Sequence, residues 1–103
     1  MNEDTQPRYV ISIAAEILGT RTYTLRYYEK VGILKPARSQ GNTRLYSDMD
    51  LALLRRVRAL MEDLGINLAG VEVILRMSQQ IAQLQAEAEE INTELNRLRR
   101  ELE

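Results

Sequence analysis

Residues 24–30 read TLRYYEK: Thr24, Leu25, Arg26, Tyr27, Tyr28, Glu29, Lys30. The chain holds five tyrosines and neither Phe nor Trp, yet Tyr23, Tyr27 and Tyr28 crowd into this one short stretch. A helix places residues three and four apart on one face, so Tyr23, Arg26, Tyr27 and Lys30 form a polar, basic, aromatic stripe. Leu25 and Tyr28 fall on the other side, with Ala15 and Leu18 upstream as packing partners. Burial therefore accounts for Tyr28, whereas the stripe calls for a partner outside the protein. A DNA groove suits it: Arg donates twice to a guanine edge or clamps a phosphate, Tyr hydroxyls reach phosphates or bases, and Lys neutralises charge.

Working outward, Tyr9–Ser12 reads as a short extended lead-in, and Ser12 is a good N-cap for a helix carrying Ile13, Ala14, Ala15, Ile17 and Leu18. Gly19 ends that helix, Thr20 or Thr22 caps the next, and Gly32 stops it after about Val31. Two short helices joined at a glycine outline a helix-turn-helix. Small Ala15 lets the second helix approach, Gly19 supplies the left-handed turn, and Leu25 anchors the inner face.

Downstream, RSQGNTRLY (Arg38–Tyr46) reads as a hairpin with Gly41 and Asn42 suited to positive φ at its tip. Arg44 and Tyr46 share one face of the returning strand, and Leu45 points the other way, inward. Such a ribbon beside a helix-turn-helix is a wing, its Arg and Tyr side chains gripping the sugar-phosphate backbone. The expected DNA-contacting set is Thr22, Tyr23, Arg26, Tyr27 and Lys30 on the helix with Arg38, Asn42, Arg44 and Tyr46 on the wing. Ser47 caps a third helix with Asp50 in a box-like position, and Leu51, Leu54, Val57, Leu60 or Met61, and Leu64 recur on its inner face. Arg55, Arg56 and Arg58 stay largely outside. Asn67 caps a fourth helix bearing Val71, Ile74 and Leu75, and its N-terminal amides offer a second, weaker phosphate contact.

From Met77 the pattern changes. Met77, Ile81, Leu84, Ala88, Ile91, Leu95, Leu98 and Leu102 follow alternate spacings of four and three, an unbroken heptad seam without Gly or Pro. So small a head does not bury such a stripe, so the helix is expected to pair with a second copy. Glu87, Glu89, Glu90 and Glu94 precede Arg97, Arg99 and Arg100, and an antiparallel pair crossing near Asn92 or Thr93 brings opposite charges together.

Composition narrows the function. With no Cys and no His, disulfides, thiolate zinc sites and the usual bases and nucleophiles are missing, so neither an enzyme nor a cofactor is expected. No apolar run nears the roughly 18 residues of a membrane span, and the acidic start MNEDTQP is no signal peptide, which points to the cytoplasm, in association with the nucleoid. The net charge of −1 hides polarity: Arg8–Arg58 carries ten basic and four acidic residues, and Ala59–Glu103 carries four basic and nine acidic. A basic front half on an acidic back half fits a polyanion-binding head and a non-binding tail. The expected organisation is mainly α: a flexible tail over 1–8, a winged helix-turn-helix domain over 9–76 and an antiparallel coiled-coil dimerisation helix over 77–103.

YVISIAAEILG, TLRYYEKVGILKPAR and the wing's R-L-Y followed by SDMDLALL resemble the MerR family of bacterial transcription regulators over roughly Arg8–Met77. The resemblance implies a homodimer binding an inverted repeat in double-stranded DNA, with Tyr23, Arg26 and Tyr27 as recognition-helix contacts and Arg44 and Tyr46 as wing contacts to phosphate. It also implies that DNA deformation carries much of the specificity. Metal-sensing members use cysteines that this chain lacks, and drug-sensing members append a large effector domain, so neither kind of sensing is expected. YVISIAAE and GINLAGVEVIL (Gly65–Leu75) are similar to the HspR branch. That branch implies repression of dnaK-type chaperone operons, with the DnaK chaperone as co-repressor and RNA polymerase affected indirectly. The wing tip GNT departs from the GYR common in the wider family, which separates its operators from theirs. Two alternatives stay open: a promoter-untwisting activator with an unknown signal, separated by promoter geometry, and a coiled-coil adaptor, separated by weak salt dependence.

Overall fold

The computed structural model describes residues 3–103; Met1 and Asn2, part of the expected tail, lie outside the described residues. Two compact units divide between Ile66 and Asn67. The first runs through a 3-10 turn (Glu3–Thr5), β1 (Tyr9–Val10), α1 (Ile11–Leu18), α2 (Thr22–Lys30), β2 (Ala37–Arg38), β3 (Arg44–Tyr46) and α3 (Asp48–Glu62). Part of the segment expected as a flexible tail is therefore an ordered turn, and it lies against α3. The strands form one antiparallel sheet in the order β1-β3-β2, pairing Tyr9 with Tyr46, Val10 with Leu45, Ala37 with Leu45 and Arg38 with Arg44.

This sheet explains a shift in the first helix. Val10, extended at φ −68° and ψ 161°, is the N-cap of α1 without any side-chain cap, so Ser12 lies inside the helix rather than capping it. Pairing of Val10 with Leu45 holds the backbone extended up to that residue, and the helix starts where the ladder ends. Gly19 closes α1 at φ 67°, its N–H bonded to the Glu16 carbonyl and that of Thr20 to the Ala15 carbonyl, a Schellman motif that satisfies the last carbonyls. Gly32, at φ 88°, repeats the arrangement after α2 with Ile33 N–H on the Tyr28 carbonyl. Neither Thr20 nor Thr22 caps α2; Arg21 does, in extended conformation and with its carbonyl accepting from the Thr24 and Leu25 amides.

The third helix begins as its sequence suggests. Ser47 Oγ accepts from the Asp50 amide at 3.1 Å and Asp50 Oδ2 from the Ser47 amide at 2.9 Å, a closed capping box. Tyr9 adds a tie from β1, donating its hydroxyl to Asp48 Oδ1 at 2.8 Å. The core draws on every long element of the unit: Ala14, Ala15 and Leu18 from α1, Leu25 and Tyr28 from α2, Tyr46 from β3, and Leu51, Leu54 and Val57 from α3. Leu60 and Met61 are half-buried, with the Tyr28 hydroxyl 4.0 Å from the Met61 sulfur. Leu64 is not part of this face, because α3 ends at Glu62 and the residue sits in the following turn, exposed.

The second unit is one helix, α4 (Leu68–Leu102), capped by Asn67 Oδ1 accepting from the Gly70 amide at 2.9 Å. The fourth helix expected from Asn67 and the seam helix expected from Met77 are thus continuous, and the boundary drawn at 76/77 falls inside a helix. The switch from one apolar pattern to another needs no break in the backbone, because no Gly or Pro interrupts Val71–Leu102. Among the described residues no helix is long and apolar enough to cross a membrane.

Candidate nucleic-acid interface

α2 has a buried and an exposed side, and the burial of Leu25 and Tyr28 decides which is which. With those two anchored, the stripe turns to solvent: Tyr23 is 66% and Tyr27 49% exposed, and Arg26 and Lys30 are exposed as well. Thr22, half-exposed, accepts from Arg26 Nη1 at 3.5 Å, one turn apart. The Tyr27 ring also lies 6.2 Å from the Tyr28 ring, tilted by 50°, so one aromatic in the stripe rests on a core aromatic and its freedom is reduced. All five helix residues expected to contact DNA therefore lie on or at the edge of one accessible surface.

The wing differs from its expected form. Asn42 sits at the tip with φ 64°, but Gly41 does not have positive φ, so only one of the two tip residues uses the left-handed region. Arg44 and Tyr46 share a face as the pleat requires, yet this face turns toward α2 instead of away from the protein. Tyr46 is 1% exposed, and its hydroxyl has no hydrogen-bond partner among the described residues; burial pushes this phenol above its ordinary value. The expected phosphate contact from Tyr46 is thus corrected: the side chain is core. Leu45, expected to point inward, is only half-buried. β1 on one flank of β3 and α1 packed against it enclose the Tyr46 position, which strand alternation alone does not reveal.

Glu29 is the residue that sequence reasoning missed. Its Oε1 accepts from Arg44 Nε at 2.5 Å and its Oε2 from Arg38 Nη2 at 3.0 Å, so one carboxylate of α2 takes an arginine from each strand of the wing. Arg38 is held at a second point, Nη1 donating to the Asn42 carbonyl at 3.1 Å. Hydrogen bonding from Arg44, reinforced by Arg38, holds the Glu29 carboxyl below the usual carboxylate range against the opposing effect of burial. A sign was present in the sequence: a lone acid within a basic stripe, between Arg26 and Lys30, followed by a hairpin with an arginine near each end.

Arg58 is a second omission. Expected largely outside, it is half-buried and donates Nη1 to the Leu18 carbonyl and Nε to Glu62 at 3.2 Å. A cation at the C-terminal carbonyls of α1 is favourable to the helix dipole, and it braces the turn between α1 and α2, where its Nη1 lies within 3.6 Å of where a Gly19 Cβ would be. Asn67 is committed to its cap. Along α4 the seam is exposed throughout: Met77, Ile81, Leu84, Ile91, Leu95, Leu98 and Leu102, with the small Ala88 among them. Arg97, expected to meet an acidic stretch of another helix, is already paired within its own helix to Glu94 and, at 2.7 Å, to Glu101.

A head of this shape, with an exposed aromatic and basic helix face beside a two-stranded wing, matches known proteins. The model of the MerR HTH family regulatory proteins matches residues 9–78. The chain is 46% identical over 96 residues to a putative heat shock protein HspR of Streptomyces coelicolor, covering 93% of this chain and 63% of that protein. It thus spans less than two thirds of that relative. It is 32% identical to the HTH-type transcriptional regulator GlnR of Bacillus anthracis, over 98% of this chain and 82% of the relative. In fold it is similar to HiNmlR, a MerR family regulator lacking the sensor domain and crystallised bound to promoter DNA. That match has TM-score 0.63 and 24% identity over 91% of this chain and 77% of the other. These relatives are transcription regulators and not enzymes, and the chain belongs to the MerR family of transcription regulators.

Proposed function

We propose that the protein is a homodimeric repressor of heat-shock operons of the dnaK type, binding an inverted repeat in double-stranded DNA. The observation that carries DNA binding is the exposed Tyr23, Arg26, Tyr27 and Lys30 face of α2, held outward by the burial of Leu25 and Tyr28. Such a face pairs hydrogen-bond donors with a positive charge that tracks phosphate. In this reading α2 is the recognition helix, Arg44 contacts the DNA backbone from the wing, and Asn67 contributes through the amides that start α4. The heat-shock assignment is supported by the identity to the HspR relative.

The exposed heptad seam of α4 supports the dimer. A second copy laid antiparallel along Met77–Leu102 would bury the stripe by knobs-into-holes packing, and a two-fold protein reads a two-fold operator. DnaK acts in this scheme as co-repressor: when unfolded proteins occupy it, repression relaxes, and RNA polymerase regains the promoter without touching the repressor. The protein works in the cytoplasm, on the nucleoid. Footprinting on the dnaK-operon promoter of its own genome, with and without DnaK at fixed salt, tests the scheme. Protection of an inverted repeat overlapping the promoter, strengthened by DnaK, is the expected result; absence of protection there would remove the heat-shock assignment.

A further inference from the structure

Glu29 is a puzzle for a DNA-binding face, since a carboxylate beside Arg26 and Lys30 repels phosphate. Its bonds resolve the puzzle. Glu29 lies on α2, Arg38 on β2 and Arg44 on β3, and one carboxylate joins all three elements through separate oxygens. Two guanidinium groups against one carboxylate leave the cluster positive. The two arginines are also held differently. Arg38 is fixed at both Nη atoms, to Glu29 and to the Asn42 carbonyl, so it braces the hairpin. Arg44 meets Glu29 through Nε, one of the five N–H donors of a guanidinium, and that bond does not consume its Nη groups.

We propose that Glu29 is a positioning residue for DNA binding, which locks the wing to α2 and orients Arg44 so that its Nη groups meet a backbone phosphate. The inference rests on the reading that this face binds DNA. It predicts the opposite sign from simple charge counting: removing a negative charge from a protein surface facing DNA strengthens binding, whereas removing the joint weakens it. A freed Arg44 must be ordered on binding, and that ordering opposes the contact.

The test uses the full-length chain and a fluorescein-labelled mixed-sequence DNA duplex, because a phosphate contact contributes to binding irrespective of sequence. Affinity is measured by anisotropy over a salt series for the wild type, Glu29→Gln, Arg44→Ala, the double variant and Arg26→Ala. The expected result is roughly tenfold weaker binding for Glu29→Gln, a salt slope about one phosphate shallower, and a double variant no weaker than Arg44→Ala. Equal or tighter binding by Glu29→Gln, with Arg26→Ala still weakened, overturns the positioning role and leaves the DNA reading standing. If none of the variants changes affinity, the DNA reading itself falls. Thermal unfolding checks that each variant is folded; should Glu29→Gln fail, Glu29→Asp, which keeps the charge and leaves Arg44 intact but falls one methylene short of the two arginines, replaces it with the same expected loss.

Discussion

Val57 in α3 and Ile91 in α4 are both aliphatic residues on the apolar face of a helix, yet Val57 is fully buried and Ile91 is 69% exposed. The contrast extends to everything around them. Up to Ile66, apolar residues from three helices and a strand meet in one core, and polar bonds cross the sequence: Tyr9 to Asp48, Glu29 to Arg44, Arg58 to the Leu18 carbonyl. Along α4 the bonds of Gln83 to Glu87 and of Arg97 to Glu94 and Glu101 stay within about one helical turn, and such exposed pairs stabilise little. One unit satisfies its hydrophobic pattern within the chain; along Met77–Leu102 the other leaves an apolar stripe exposed. Helical stability in proteins comes mostly from packing an amphipathic face, so α4 depends on what covers its seam.

Four substitutions sharpen or break this contrast. The largest effect belongs to the head: Leu54→Ala, at a position 2% exposed, is expected to destabilise it by about 2–5 kcal/mol. In denaturant unfolding, a loss below about 1 kcal/mol would mean that the core is looser than its burial implies. Ile91→Glu should leave the head folded, convert dimers to monomers in sedimentation, and weaken inverted-repeat binding by roughly a hundredfold through lost avidity; a persistent dimer would sink the seam as the dimer interface. Ser47→Ala removes the closed capping box of α3 and is expected to cost about 1 kcal/mol, read as a lower midpoint of thermal unfolding with the oligomeric state unchanged. The smallest effect is the most diagnostic of the wing. Tyr46→Phe deletes a buried hydroxyl without a partner, so stability should stay level or rise by about 1 kcal/mol and DNA affinity should not change; a clear loss of affinity would return the Tyr46 hydroxyl to the DNA surface.

Periodicity made the helices, the exposed stripe of α2 and the seam legible, because residues three and four apart share a face in any helix. It was equally sound for strand alternation, placing Arg44 and Tyr46 together, but the side of β3 expected inward, that of Leu45, is not the side that holds the buried ring of Tyr46. Cap positions were legible where a side chain makes the cap, at Ser47 and Asn67. They were illegible where no side chain makes it, at Val10 and Arg21.

What the sequence determined by itself is local and repetitive: helix faces, glycine stops with left-handed geometry, the capping box, the heptad spacing, the basic front half and the absence of Cys and His chemistry. What only the tertiary structure decided is non-local. It brings Glu29 between Arg38 and Arg44 and Arg58 to the end of α1, and it turns Tyr46 inward. The physical reason is that a charge or a ring has no fixed role in isolation: whether it meets solvent, an opposite charge or a core depends on elements far away in the chain, and folding alone sets them side by side.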